Sequence, residues 1–277
     1  MKNSKIIIAL MISALYFTSC RREQDTADTS IATDNYTATQ ESNGIIDAIN
    51  SAAFDNGVLK LDEANASTST LLPECATVTI DTVSNPKSIT IEFASDGNGC
   101  LCTDWDNKYR KGKITATWTG KYRNEGTIIQ VKTDNYFVGG NQFDYLKTVT
   151  NNGLNLNGNL SFSVDVQKAN IYFSDNTSFT STASRTREWI SGSNTLTPYD
   201  DVYSITGSAS GVSRAGDNFT YTITSPLNIA IGCRWIRKGV IVVTPDSKPA
   251  RTIDFGDGSC DNKATVEING TVYNVNL

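Results

Sequence analysis

Residues 219–225, FTYTITS, set Phe219, Tyr221 and Ile223 against three threonines in strict alternation. A period of two sends successive side chains to opposite faces, so this stretch reads as a strand with one apolar and one hydrated face. The habit recurs outward along the chain. Residues 160–166, LSFSVDV, set Leu160, Phe162, Val164 and Val166 against Ser161, Ser163 and Asp165, and residues 114–122 align Ile114, Ala116, Trp118 and Tyr122. ATVEING (264–270) and VYNVNL (272–277) carry it to the C-terminus. Asn124-Glu125-Gly126, Gly139-Gly140-Asn141, Asn151-Asn152-Gly153 and Gly216-Asp217-Asn218 punctuate these strands with hairpin-turn residues. The expected fold class is all-β: a long antiparallel meander that closes into a barrel or folds into a sandwich to hide its apolar face.

The N-terminus has a different character. Lys2 and Lys5 precede an apolar run from Ile6 to Phe17, which is too short for a spanning helix of about 20 residues. A charged start, a short apolar run and small residues before a cut make a secretory leader. Phe17-Thr18-Ser19-Cys20 is similar to a bacterial lipobox, which implies cleavage before Cys20 and a diacylglycerol on its thiol. Residues 1–19 are then a lipoprotein signal peptide, and Cys20 anchors the chain to a lipid bilayer. Residues 20–70 hold the anchor, a polar Thr-, Asp- and Ser-rich tether with little to bury, and a short helix. The helix is expected where Ile45, Ile46, Ile49, Ala52 and Ala53 fall at helical spacing in NGIIDAINSAAF (43–54). Residues 71–277 form the β domain.

With Cys20 consumed, Cys75, Cys100, Cys102, Cys233 and Cys260 remain, an odd number in an exported chain where disulfides persist. Residues 75–100 and 233–260 share one layout: cysteine, strand, proline-containing turn, strand ending Ile-x-Phe, Gly/Asp loop, cysteine. Folding each about its turn pairs Cys75 with Cys100 and Cys233 with Cys260 and leaves Cys102 free. Cys75–Cys102 competes, because Cys100 and Cys102 share a strand face. Each bridge closes a loop worth roughly 3 kcal/mol in the chain-entropy model.

The chain carries a formal charge of −5, and loss of Lys2 and Lys5 with the leader makes it more acidic still. Without an excess of cations it gains nothing from releasing phosphate counterions, so nucleic acid is not an expected partner. The sequence has no histidine, which removes Ser–His and Cys–His nucleophile pairs and the commonest general base. No phosphate-cradling glycine loop is present, and no cofactor is expected. A carboxylate-based glycan hydrolase needs two carboxylates about 5 to 9.5 Å apart, and Glu188, Asp200 and Asp201 are the nearest such group in sequence. Strand neighbours point to opposite faces, so solvated carboxylates at strand ends are the competing reading. Asp254, Asp257 and Asp261, with Asn262, surround two glycines and form a calcium candidate, although a bridged turn needs such residues anyway. Arg185, Arg187 and Trp189 share one strand face in SRTREWI. They suit a sugar or an anionic group, unless acidic neighbours pair with the arginines.

TIDFGDGSCDNKATVEINGTVYNVNL (252–277), with DDVYSITGSASG (200–211) and the lipobox, resembles a family of outer-membrane lipoproteins from Bacteroidetes-type genomes with the same paired-cysteine layout. The resemblance implies outer-membrane localisation and β architecture and brings no activity with it. By the same analogy Arg21 after the lipid cysteine looks like export to the outer membrane. Asp25-Thr26-Ala27 and Asp81-Thr82-Val83 look like the O-glycosylation sequons of that phylum. The function expected is a membrane-tethered, non-enzymatic binding or structural β domain, with a glycan or an envelope protein as partner. A glycan hydrolase is the alternative.

Overall fold

The computed structural model describes residues 72–94, 99–103, 106–195, 200–231, 233 and 235–277, together with single helical positions between Asp34 and Ala52. Cys20, Arg21 and Thr26 lie outside the described residues. The strands are β1 (Ala76–Asp81), β2 (Lys87–Phe93), β3 (Cys100–Cys102), β4 (Lys108–Trp118), β5 (Ile128–Val138), β6 (Asn141–Leu154) and β7 (Leu160–Tyr172). They continue as β8 (Ser178–Ser191), β9 (Val202–Val212), β10 (Asn218–Ala230), β11 (Lys238–Pro245), β12 (Arg251–Asp257), β13 (Lys263–Ile268) and β14 (Thr271–Asn276). All belong to one antiparallel sheet in sequence order, with β3 the single departure. β2 pairs with Gly112–Trp118 of β4, and β3 pairs with Lys108–Arg110 on the same side. Together β2 and β3 make one broken strand.

The all-β meander is therefore what forms, but its closure differs from the expectation. β1 and β14 are not paired with each other, and there is one sheet, so the ladders make neither a closed barrel nor two separate sheets. Register shifts interrupt the ladders at Lys111/Lys113, Lys132/Tyr136, Val166/Ile171 and Thr222/Leu227, and each such bulge sharpens the local twist and bend. Gly112 shows why glycine is needed at one of them. Its φ is +88°, and a Cβ there would lie 2.0 Å from the Asn135 carbonyl oxygen.

One face of the sheet carries the core, through Ile89, Ile91 and Phe93 of β2, Ile114 of β4, Phe162 of β7, Phe219 of β10 and Val243 of β11, all buried. We call this the inner face. Helical residues cover part of it: Ile45, Ala48 and Ala52 are buried, and Ile46 and Ile49 pack beside them. Helical residues also occur before the stretch that the isoleucine spacing indicates: Asp34, Thr37, Ala38, Glu41 and Ser42. Polar contacts hold this first part: Glu41 pairs with Lys108 at 2.8 Å, and Asp34 accepts from the Arg214 backbone N–H at 3.3 Å. No helix among the described residues is long and apolar enough to cross a membrane.

The disulfides are Cys75–Cys100 and Cys233–Cys260, and Cys102 is free and buried. Their hairpins fold about the expected turns, with Asp81 opposite Ser88 and Val243 opposite Arg251, and the second shifts register between Val240 and Lys238. One turn is corrected. Asn151-Asn152-Gly153 does not turn the chain but lies inside β6, and the turn into β7 falls at Asn155–Asn159 instead. Asn151 is buried, and its side chain bonds to Gly153 N–H at 2.7 Å and to the Tyr122 carbonyl at 2.8 Å. It serves a loop on another part of the sheet.

Candidate functional site

Alternation along β8 sends Ala183, Arg185, Arg187 and Trp189 to the inner face and Thr182, Ser184, Thr186 and Glu188 to the outer one. Trp189 belongs to the core at 1% exposure, and its indole N–H donates to Asp201 at 3.2 Å. The two arginines are half-buried, and their register neighbours are apolar or absent. Arg185 lies between Val164 of β7 and Gly207 of β9, and Arg187 between Phe162 and Ile205. Gly207 is required there. Its φ is +124°, and a Cβ would stand 2.3 Å from the Ser184 carbonyl oxygen and 2.7 Å from Arg185 Cα.

Lys147 joins them from β6. It shares the inner face with Phe143, Tyr145 and Val149 and faces Val131 and Val166 in the adjacent strands. Burial first, and then the charges of Arg187 and Arg185, push its amine down to about 7. Burial also raises Tyr145 and Tyr221, which border the group, so both stay neutral phenols. No carboxylate pairs with Lys147, Arg185 or Arg187 among the described residues, and the Nε atoms of both arginines are shielded from solvent without a partner. The acidic pairing considered from the sequence is thus not what the strand adopts.

Aromatic rings take the place of counter-charges. The Arg187 guanidinium lies 4.9 Å from the Tyr203 ring centroid, 5.1 Å from Phe162 and 5.6 Å from Tyr122, and Arg185 lies 5.7 Å from Tyr221. Tyr122 arrives on the loop 119–127 between β4 and β5. It stacks on Phe162 at 4.7 Å, and its hydroxyl accepts a hydrogen bond from the Arg187 guanidinium. The contacts that fix this loop include the bond from Asn151 to the Tyr122 carbonyl, Gly126 N–H on Asn151 O, and Arg123, which lies 4.6 Å over the Trp189 ring and donates to the Thr195 carbonyl.

Other buried arginines of this fold are treated differently. Arg110, at 1% exposure, makes a two-point bond to Asp106 at 2.6 and 2.9 Å and a third to the Tyr136 hydroxyl at 3.0 Å. Arg251 donates to the Pro249 carbonyl at 2.7 Å. A cation taken out of water without an anion is costly; Arg110 has its anion, whereas the half-buried Arg185 and Arg187 have none among the described residues.

The remaining sequence candidates do not converge. Asp200 is exposed and accepts from Thr195, Asp201 is buried against Trp189 and Tyr203, and Glu188 points outward to Asn159. Asparagine hydrogen bonds, that of Asn159 foremost, hold Glu188 below the usual carboxylate range. Asp254, Asp257 and Asp261 each accept a backbone N–H two residues ahead, at 2.8 to 3.0 Å, closing their own turns. No group of three or more acidic or cysteine ligands suited to a metal occurs among the described residues, so the calcium candidate is not assembled.

Lys147, Tyr122, Tyr203 and Tyr221 escaped the sequence reading. A lysine on the apolar phase of FDYLKTV (143–149) is the signal that could have found the first of them. Compared with known proteins, the chain matches no family model, no curated protein and no solved structure.

Proposed function

We propose that this chain is a non-enzymatic binding domain, tethered to the outer membrane through acylated Cys20, with its ligand seat on the inner face of β6–β9. One observation carries the seat: Arg185 and Arg187 are directed inward with no carboxylate among the described residues to answer them. The anchor rests on the lipobox-like Phe17–Cys20 and the polar stretch after it. The non-enzymatic reading is supported by the dispersal of Glu188, Asp200 and Asp201 to separate surroundings.

The test is capture of partners from the native envelope with the lipidated protein, in parallel with variants. Arg185→Gln with Arg187→Gln should reduce capture, and Asp200→Asn should leave it unchanged. Polysaccharide turnover abolished by Asp200→Asn would overturn the non-enzymatic reading. Cys20→Ala should leave unprocessed precursor without lipid; a variant that is still acylated would remove the anchor.

A second reading has its own observation. On the outer face of β7–β10, Asp165, Gln167, Thr182, Ser184, Ser210 and Thr222 line a shallow trough of about 630 Å³. Hydroxyls and an amide around a single carboxylate, Asp165, suit a polyhydroxylated chain better than an anion, which favours a glycan there. Titration with envelope glycans, repeated on Ser184→Val with Ser210→Val, separates the two faces.

A further inference from the structure

Resting on the inner face as ligand seat, we propose that this seat takes an oxyanion carried on an apolar body, with Lys147, Arg185 and Arg187 holding the anionic group and the surrounding aromatic rings holding the body. Charge is the first ground. Three cations converge from β6 and β8, and no carboxylate pairs with them among the described residues. Their strand neighbours are Val131, Val166, Val164, Phe162 and Ile205. Apolar surroundings lower the local dielectric and strengthen attraction to an incoming anion.

Unmade hydrogen bonds are the second ground. Arg185 and Arg187 each have an Nε cut off from solvent and unpartnered. Such groups are rare in folded proteins and call for a reason. A guanidinium presents a planar fork of donors that matches a carboxylate, sulfate or phosphate edge. Cation–π contacts leave in-plane donors of both forks over, although one donor of Arg187 bonds the Tyr122 hydroxyl.

The third ground is the rings themselves. Tyr122, Phe162, Tyr203 and Tyr221 provide apolar area around the charges and no counter-charge. A bare inorganic ion would leave that area unused, so the ligand has a body. Lys147 adds a signature. The charges that act on it are those of Arg187 and Arg185, and Tyr145 and Tyr221, which burial keeps as neutral phenols, lie near Arg185. An anion seated among them restores the lysine proton, so binding takes up protons near neutral pH.

The mature chain with Cys20→Ser keeps every described residue and needs no detergent. Titration calorimetry in two buffers of different ionisation enthalpy would use decanoate, decyl phosphate, decanol and inorganic phosphate. Decanoate or decyl phosphate should bind with proton uptake between pH 7 and 8, and decanol and inorganic phosphate should each bind at least tenfold more weakly. Arg185→Gln and Arg187→Gln should each weaken binding roughly tenfold or more, with Arg185→Lys partly restoring it. Lys147→Met should abolish the proton uptake, with folding of each variant confirmed by its thermal transition. Equal affinity for decanol, or affinity indifferent to the arginine substitutions, overturns the proposal. Free phosphate binding as tightly as decyl phosphate removes the apolar body. If no oxyanion probe binds while the arginine variants still lose their envelope partner, the ligand class falls and the seat itself stands.

Discussion

Lys147 is a single side chain whose environment makes a pH-dependent statement about the whole domain. Its folded-state value near 7 lies below the ordinary 10.5 of the unfolded chain. Between those values the unfolded state binds the extra proton, so stability rises as pH rises through this window. The penalty is present in full below about pH 7. Lys147→Met should therefore be more stable than the parent at pH 6 and close to it at pH 10, as read by urea unfolding at both. A gap that stays constant with pH would mean that the lysine is not desolvated. At the same scale, Gly207 tests the geometry of the arginines. Gly207→Ala places a methyl against Ser184 O at a φ of +124° and should cost about 1–3 kcal/mol in strain. It should also weaken ligand capture, since it displaces Arg185. Unchanged capture in a folded Gly207→Ala protein would separate Arg185 from the seat.

At the scale of elements, the loop 119–127 and strand β6 act together. Asn151 spends its amide on the Tyr122 carbonyl and its carbonyl oxygen on Gly153 N–H, which is why a sequence that reads as a turn remains in a strand. Asn151→Ala leaves buried backbone groups unsatisfied, and a loss of about 1–3 kcal/mol is expected. Limited proteolysis after Lys121 or Arg123 should accelerate in that variant, because the loop loses its anchor. Protection equal to the parent's would show that Arg123 over Trp189 suffices. The two stapled hairpins behave as separate units. Opening Cys233–Cys260 with a Cys233→Ser, Cys260→Ser pair should cost roughly 3 kcal/mol, measured by denaturant midpoint, while the thiol count under native conditions stays at zero until Cys102 is exposed by unfolding.

For the whole molecule, an open sheet must cover its apolar face by other means. The helical residues Ile45, Ala48 and Ala52 do so at the inner face, and Ser42 reaches the Tyr145 hydroxyl at 2.5 Å beside the cationic group. Ile45→Ala should cost about 2–5 kcal/mol and raise binding of a hydrophobic dye in proportion. A loss below 1 kcal/mol would show that the helix is dispensable as a cover. The same arrangement bears on the proposed seat. Closure of β1 onto β14 would enclose the inner face, whereas bulged, coiled strands under a helix leave Lys147, Arg185 and Arg187 half-buried.

Some of this was written in local sequence. Alternation with period two depends only on neighbouring residues, so FTYTITS and LSFSVDV specified strands, and hairpin order followed from turns such as Gly139-Gly140 and Gly216-Asp217. The cysteine hairpins were legible for the same reason, since each bridge closes over 25 or 27 residues within one repeated pattern. Tertiary structure decided what depends on partners distant in the chain. Asn151 reads as a turn until the loop at Tyr122 claims it, Asp200 and Asp201 read as a pair until Trp189 buries one of them, and the arginines read as surface until the face of β8 is known. Lys147 meets Arg185 and Arg187 only because β7 brings β6 and β8 to its two sides. Electrostatic environment is a property of that three-dimensional neighbourhood, and no local pattern encodes it.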